Sequence, residues 1–177
     1  MSEVPDTFLS QQLYWMKGNQ MNKKTIKGIK AKRSMHLVDI ENLCVTGDLT
    51  VDLVADIRAA YLAQLQPSAD DLFVIAASHH NIEAAAFGLP GGFHGFRSGK
   101  DGADIILAQM MLEDDLADRF ETVFLASGDG GLAPFASSLR AKGCHVQVVS
   151  RVESVSWAMR YAADSVTYLQ MSRALAA

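Results

Sequence analysis

TVFLASGDGGLAPFASSLRAKGCHVQVVS (122–150) decides the fold. TVFLAS (122–127) is a continuous apolar run, LAPFASSLRAKG (132–143) reads as a helix stopped at Gly143, and HVQVVS (145–150) is a second apolar run. Both runs are the length of a strand, and neither alternates apolar with polar residues. Strands of that kind are buried on both faces. Linked through a helix, they belong to a parallel sheet.

The same alternation extends in both directions. MHLVDI (35–40) and DLFVIAAS (71–78) are further apolar strands, and GFHGFR (92–97) is a weaker one. Between them, TVDLVADIRAAYLAQLQ (50–66) places Val51, Leu53, Val54, Ile57, Ala60, Tyr61 and Leu65 near helical spacing, with Thr50 as N-cap. NIEAAAF (81–87) predicts a short helix, ended by Gly88, Pro90, Gly91 and Gly92. ADIILAQMMLEDDL (103–116) predicts a longer one, and a helix near 154–162 and a strand near 164–169 close the chain. Alternating strands and helices of this kind predict an α/β fold. Its sheet is doubly wound and mostly parallel, with helices on both faces as in three-layer, Rossmann-like proteins.

Composition agrees with a folded domain, since 49% of the 177 residues are hydrophobic and 20% charged. No stretch reaches the roughly 18 consecutive apolar residues of a membrane span, and two acids precede the first basic residue, Lys17. With only two cysteines, Cys44 and Cys144, a disulfide framework is excluded. The expected compartment is the cytoplasm, with no membrane partner. The net charge of −4 conceals a division. Lys17, Lys23, Lys24, Lys27, Lys30, Lys32 and Arg33 face only Glu3 and Asp6, so residues 1–34 carry +5 and the remainder −9. Residues 1–33 are expected to form a basic arm and 34–177 the folded domain. The arm reads either as a contact for nucleic acid or an acidic partner, or as a solvated tail.

In an open doubly wound sheet, ligands bind beyond the carboxyl ends of the strands. Asp39 ends the first strand, followed by Glu41 and Asn42; Ser127 and Asp129 follow the fourth; Asp101 and Asp104 open the helix after the third. Three strand-to-helix junctions therefore bring carboxylates to one edge. Each has an ordinary structural use. Asp101 and Asp104 suit a helix N-terminus, Asp129 suits a turn before Gly130, and Asp39 can satisfy donors in its own loop. Grouped carboxylates repel one another unless a cation joins them, and hard oxygen donors suit Mg²⁺ or Mn²⁺.

The pieces MHLVDIEN (35–42), GKDGADIILAQMML (99–112), VFLASGDGGLAPFASSLRAKGCHVQVVS (123–150) and SVSWAMRYAADSVTYL (154–169) occur in an order that resembles the NYN domain, a branch of the PIN-like ribonuclease fold. The resemblance implies a metal-dependent nuclease site. By motif position, Asp39 and Asn42 match the family's first-strand Asp and following Asn. Lys100 and Asp104 match its middle motif, and Ser127, Gly128 and Asp129 match its S-G-D. The family usually reads S-G-D-x-D-F there, whereas this chain has Gly131 at the second acid. Asp101 or Glu41 is the residue that could replace it.

The expected activity is metal-assisted phosphodiester hydrolysis of RNA. Asp39, Asp104 and Asp129 would be metal ligands, directly or through water, and Asn42 and Ser127 would orient water or phosphate. Lys100, Arg97 and Arg151 would meet backbone phosphates. Two alternatives stay open: an RNA-binding or assembly module with a weakened site, and a metal-dependent phosphatase. Assembly into a homo-oligomer is also open. Gly128-x-Gly130-x-x-Ala133 formally fits a dinucleotide fingerprint, but it follows the fourth strand and sets Asp129 against a pyrophosphate. His79 and His80 read as loop residues, and no chemistry is assigned to His36, His94 or His145. Trp157 and Tyr161, four apart, are expected to form a packed helix face rather than a base-stacking platform.

Overall fold

The computed structural model describes residues 31–99, 101–113 and 115–171. The basic arm up to residue 30, and Lys100, lie outside the described residues. Six strands form one sheet: β1 (Ala31–Asp39), β2 (Leu72–Ser78), β3 (Phe93–Arg97), β4 (Phe120–Ala126), β5 (His145–Ser150) and β6 (Ser165–Tyr168). Every pairing is parallel, and the order is β3-β2-β1-β4-β5-β6. The chain thus winds outward from β1 through β2 to β3, returns to the other side of β1 at β4, and winds outward again. That reversal creates a crevice at the carboxyl ends of β1 and β4.

The helices are α1 (Ile40–Cys44), α2 (Val51–Leu65), α3 (Ile82–Gly88), α4 (Gly102–Glu113), α5 (Leu116–Arg119), α6 (Ala133–Ala141) and α7 (Trp157–Ala162). Thr50 caps α2 as its sequence predicts, its hydroxyl accepting from Leu53 N–H at 3.2 Å. Two cores sandwich the sheet. One packs Leu107, Met111, Phe135, Leu139 and Met159, from α4, α6 and α7, on one face. The other packs Leu43, Val54, Ile57, Tyr61 and Ala85, from α1 to α3, on the opposite face. The three-layer α/β architecture expected from the apolar strands is the one observed.

Local differences have physical causes. β1 starts at Ala31, three residues before the expected domain start, because Ala31 already pairs with Phe120 of β4. The helix expected over 103–116 stops at Glu113, and α5 follows after Asp115 takes a left-handed conformation (φ 46°). No helix among the described residues is long and apolar enough to cross a membrane.

Candidate functional site

The buried polar residues among those described locate the site. Apart from His36, they are Asp39, Ser78, Asn81, Ser127 and Ser150. All five lie at or just beyond the carboxyl ends of β1, β2, β4 and β5. Burial of polar groups is costly unless they are bonded, and here all five are: Asp39 with Ser127, Ser78 and Asn81 with Glu41, and Ser150 with the Arg151 carbonyl.

Asp39 ends β1 and caps α1, the five-residue helix that directly follows it. Its Oδ1 accepts the Asn42 N–H at 3.1 Å and its Oδ2 accepts the Ser127 hydroxyl at 3.3 Å. Asn42 Oδ1 in turn accepts the Gly128 N–H at 2.8 Å, and Ser127 Oγ accepts the Asp129 N–H at 3.2 Å. The loops after β1 and β4 are therefore joined at the reversal of strand order. Gly128 is required sterically, since a Cβ there would lie 2.2 Å from the Ser154 carbonyl oxygen. Its own carbonyl accepts the Ser156 N–H at 2.9 Å, which adds the loop after β5 to the network.

Asp104 enters from α4, which begins beyond the edge strand β3 and packs across β2 and β1. One of its carboxylate oxygens, Oδ1, is buried with no hydrogen-bond partner. Burial, then the charges of Asp129, Asp101 and Glu41, push its pKa up to about 6. Asp39 is pushed up to about 7, first by burial and then by Asp104 and Glu41, against the lowering effect of its bonds from Asn42 and Ser127. Asp129 retains the turn role its sequence suggests: its Oδ1 accepts the Gly131 N–H at 2.6 Å.

The remaining predicted residues are placed less centrally. Arg97 is exposed at the end of β3, and Arg151, after β5, is ion-paired with Glu153 at 2.9 Å. Of the two substitutes for the missing acid, Asp101 is exposed and Glu41 is committed elsewhere. Glu41 accepts from Ser78 N–H and hydroxyl, both at 2.9 Å, and from the Asn81 side chain at 2.5 Å. It clamps the end of β2 to the end of β1 and lines an open cleft of about 560 Å³ with Ser78, His79, His80, Ser98 and Gly99. The loop roles of the two histidines hold: His79 bonds Ser98 at 2.7 Å and His80 the Gly47 carbonyl at 2.8 Å.

Sequence reading missed Ser78 and Asn81, for which no motif gives a signal, and Ser156, whose position before α7 is an ordinary N-cap signature. It also misplaced Trp157 and Tyr161. Rather than packing inward they are 74% and 77% exposed, because Met159 and Ala162 supply the buried side of α7.

Whether these residues suit a divalent cation is decided by their donors. A cation would give the orphaned Asp104 oxygen a partner and offset the repulsion that raises both aspartates. Among the described residues, no three His, Cys, Asp or Glu side chains are grouped closely enough to hold an ion together. The set fits an ion held by one or two carboxylates and several waters, the habit of Mg²⁺, rather than a cage of three carboxylates.

Comparison with known proteins places this edge in context. No curated protein matches the chain. A crystal structure of a protein of unknown function from Vibrio parahaemolyticus RIMD 2210633 is similar, with a TM-score of 0.52 at 16% identity, over 81% of this chain and 96% of that one. At that identity the likeness concerns the fold alone. The model of the NYN domain matches residues 33–170, nearly all of the described fold. This chain belongs to the NYN domain family, a family of PIN-like nucleases.

Proposed function

We propose that the protein is a Mg²⁺- or Mn²⁺-dependent ribonuclease whose centre is Asp39, Asp104 and Asp129. The observation that carries this reading is the buried, unpartnered Asp104 oxygen, held against the charges of Asp129 and Asp39 at the reversal of strand order. Asp39 and Asn42 have structural bonds that explain their positions; the Asp104 oxygen has none.

In this reading Asp39 and Asp104 hold the cation, and Asp129 acts through water. A bound divalent ion supplies Lewis acidity, lowering the pKa of water and neutralising charge on the scissile phosphate. Ser127 fixes the rotamer of Asp39 through its hydroxyl, and Asn42 fixes the position of Gly128 and the Asp129 loop. The raised pKa values of Asp39 and Asp104 mean that cation and protons compete for the same oxygens, so activity rises with pH through about 6 to 7. Arg97, Arg151 and Lys100 would supply phosphate contacts, and the compartment is the cytoplasm.

Labelled RNA incubated with and without Mn²⁺ tests the reading. Cleavage that requires the ion and disappears in Asp39→Asn and Asp104→Asn supports it; cleavage that survives both overturns it. Two observations favour a second reading. Gly131 stands where the family has an acid, and the described residues contain no three-ligand group. An RNA-binding module without turnover would bind in the same assay and leave the RNA intact. A phosphatase would instead turn over small phosphate esters.

A further inference from the structure

Trp157 and Tyr161 are more exposed than any other large hydrophobic residue of the described fold. One helical turn apart on α7, their rings stack on each other with centroids 6.1 Å apart and planes inclined by 26°. The Arg160 guanidinium lies 5.9 Å from the Trp157 ring centre and 5.5 Å from that of Tyr168, and it donates to the Tyr168 hydroxyl. Neighbouring arginines are neutralised, Arg140 by Asp164 and Arg151 by Glu153. Among the described residues the contacts of Arg160 are with aromatic rings and a phenol, and no carboxylate pairs with it.

This cluster adjoins the acidic edge. Ser156, the cap of α7, donates its N–H to the Gly128 carbonyl. A Cβ on Gly130 would lie 3.2 Å from Ser156 Oγ and 3.7 Å from the Ala158 side chain. The first turn of α7 therefore rests on the Ser127-Gly128-Asp129 loop, and Trp157 is the residue after the cap. Flat rings beside a guanidinium match a ligand with π-faces on an anionic backbone. A second copy of this chain has exposed rings in Phe87 and Phe93, but they are borne on no anionic backbone.

We propose that Trp157 and Tyr161, with Arg160, form a base-stacking subsite that seats an unpaired nucleobase of single-stranded RNA beside the acidic centre. The choice of RNA rests on the ribonuclease reading; the platform itself rests on the ring geometry. Stacking on such rings is sequence-tolerant, because every base has a π-face, so the subsite selects unpaired over duplex RNA rather than one base over another.

The test measures affinity of the full chain, in an Asp39→Asn background that prevents turnover, for three labelled probes: a single-stranded oligoribonucleotide, the same sequence as a duplex, and an abasic strand of equal length. Trp157→Ala and Tyr161→Ala are expected to weaken the single strand by roughly 5- to 100-fold each, to leave the abasic strand unaffected, and to melt like the parent. Trp157→Phe, which keeps a ring, restores most of the affinity. Unchanged affinity for the single strand, or an equal loss for the abasic strand, overturns the subsite. So does a dimer in sedimentation that Trp157→Ala dissolves without altering RNA affinity. Failure of the ribonuclease reading is distinguishable: unmutated protein that cleaves nothing, yet binds through Trp157, loses the nuclease and keeps the subsite.

Discussion

Asn42 Oδ1 accepts the Gly128 N–H at 2.8 Å, so a side chain from the loop after β1 sets the position of the loop after β4. Because the same stretch carries Ser127 and Asp129, the bond acts on two candidate-site residues at once. Asn42→Ala leaves the buried Gly128 donor unpaired, a loss of about 1–3 kcal/mol. We expect RNA cleavage to fall roughly 10- to 100-fold with metal affinity weakened, and faster hydrogen exchange at the Gly128 amide. An unchanged exchange rate there would remove Asn42 from the positioning of the loop.

Asp39 is predicted to limit stability in the absence of metal. Its folded-state pKa of about 7 lies above the ordinary 3.8. Between those values the folded chain binds a proton that the unfolded chain does not, so this group makes stability rise as pH falls from about 7 and lowers it at higher pH. Asp39→Asn should therefore raise the metal-free melting temperature at pH 8, by roughly 2–4 °C for each kcal/mol relieved. Added Mn²⁺ should stabilise the unmutated chain more than the variant. A variant that melts lower at pH 8 and gains equally from Mn²⁺ contradicts this.

Gly131 has room for the second acid that the resemblance leads us to expect there. It needs no positive φ, and a Cβ there would meet only Asp129 Oδ1, at 3.1 Å, a contact that a small side-chain movement relieves. Gly131→Asp is expected to tighten the apparent Mn²⁺ affinity several-fold and to raise cleavage, while lowering metal-free stability through added repulsion. Titration of activity against Mn²⁺ decides it, and an unchanged midpoint sinks the prediction.

Far from the acidic edge, His36 is stacked between Phe73 and Phe124, with ring centres 4.3 and 4.6 Å away, and its Nδ1 lies 2.9 Å from the Tyr61 hydroxyl. Burial lowers its pKa, against the raising effect of Asp71. The unfolded chain therefore takes up a proton near pH 6.5 that the folded chain resists, and stability from this residue is present above that pH and lost below it. Relative to His36→Phe, the unmutated chain should lose at most about 1.4 kcal/mol per pH unit below 6.5. Parallel urea titrations at pH 7.5 and 5.5 measure the difference, and equal losses in both proteins refute it.

The parallel sheet was legible because its central strands are covered on both sides, so their apolar runs have no polar phase to confuse the reading. The edge on which Asp39, Asp104 and Asp129 lie followed from parallel strands alone. Strand order did not, because nothing local in TVFLAS states that it pairs with MHLVDI on the side away from DLFVIAAS. Helix α1 was missed for a different reason: five residues are too few for periodicity, and its cap, Asp39, reads as a site residue. The spacing of Trp157 and Tyr161 shows that they share a face, but not whether anything covers it. Glu41 shows the converse. Beside the motif it resembles a spare ligand, and only the positions of Ser78 and Asn81 reveal it as a clamp.

The order β3-β2-β1-β4-β5-β6 also imposes a timetable. β1 leaves the ribosome first but acquires its second neighbour only when β4 has been made, and Ser127 reaches Asp39 across 88 residues of chain. The loop that bears Asp129 is then braced by Ser156, later still. Pairings so distant in sequence form late in folding. A nascent chain therefore carries its aspartates apart from one another for most of its synthesis, and the assembled centre comes into being only after nearly the whole domain has emerged.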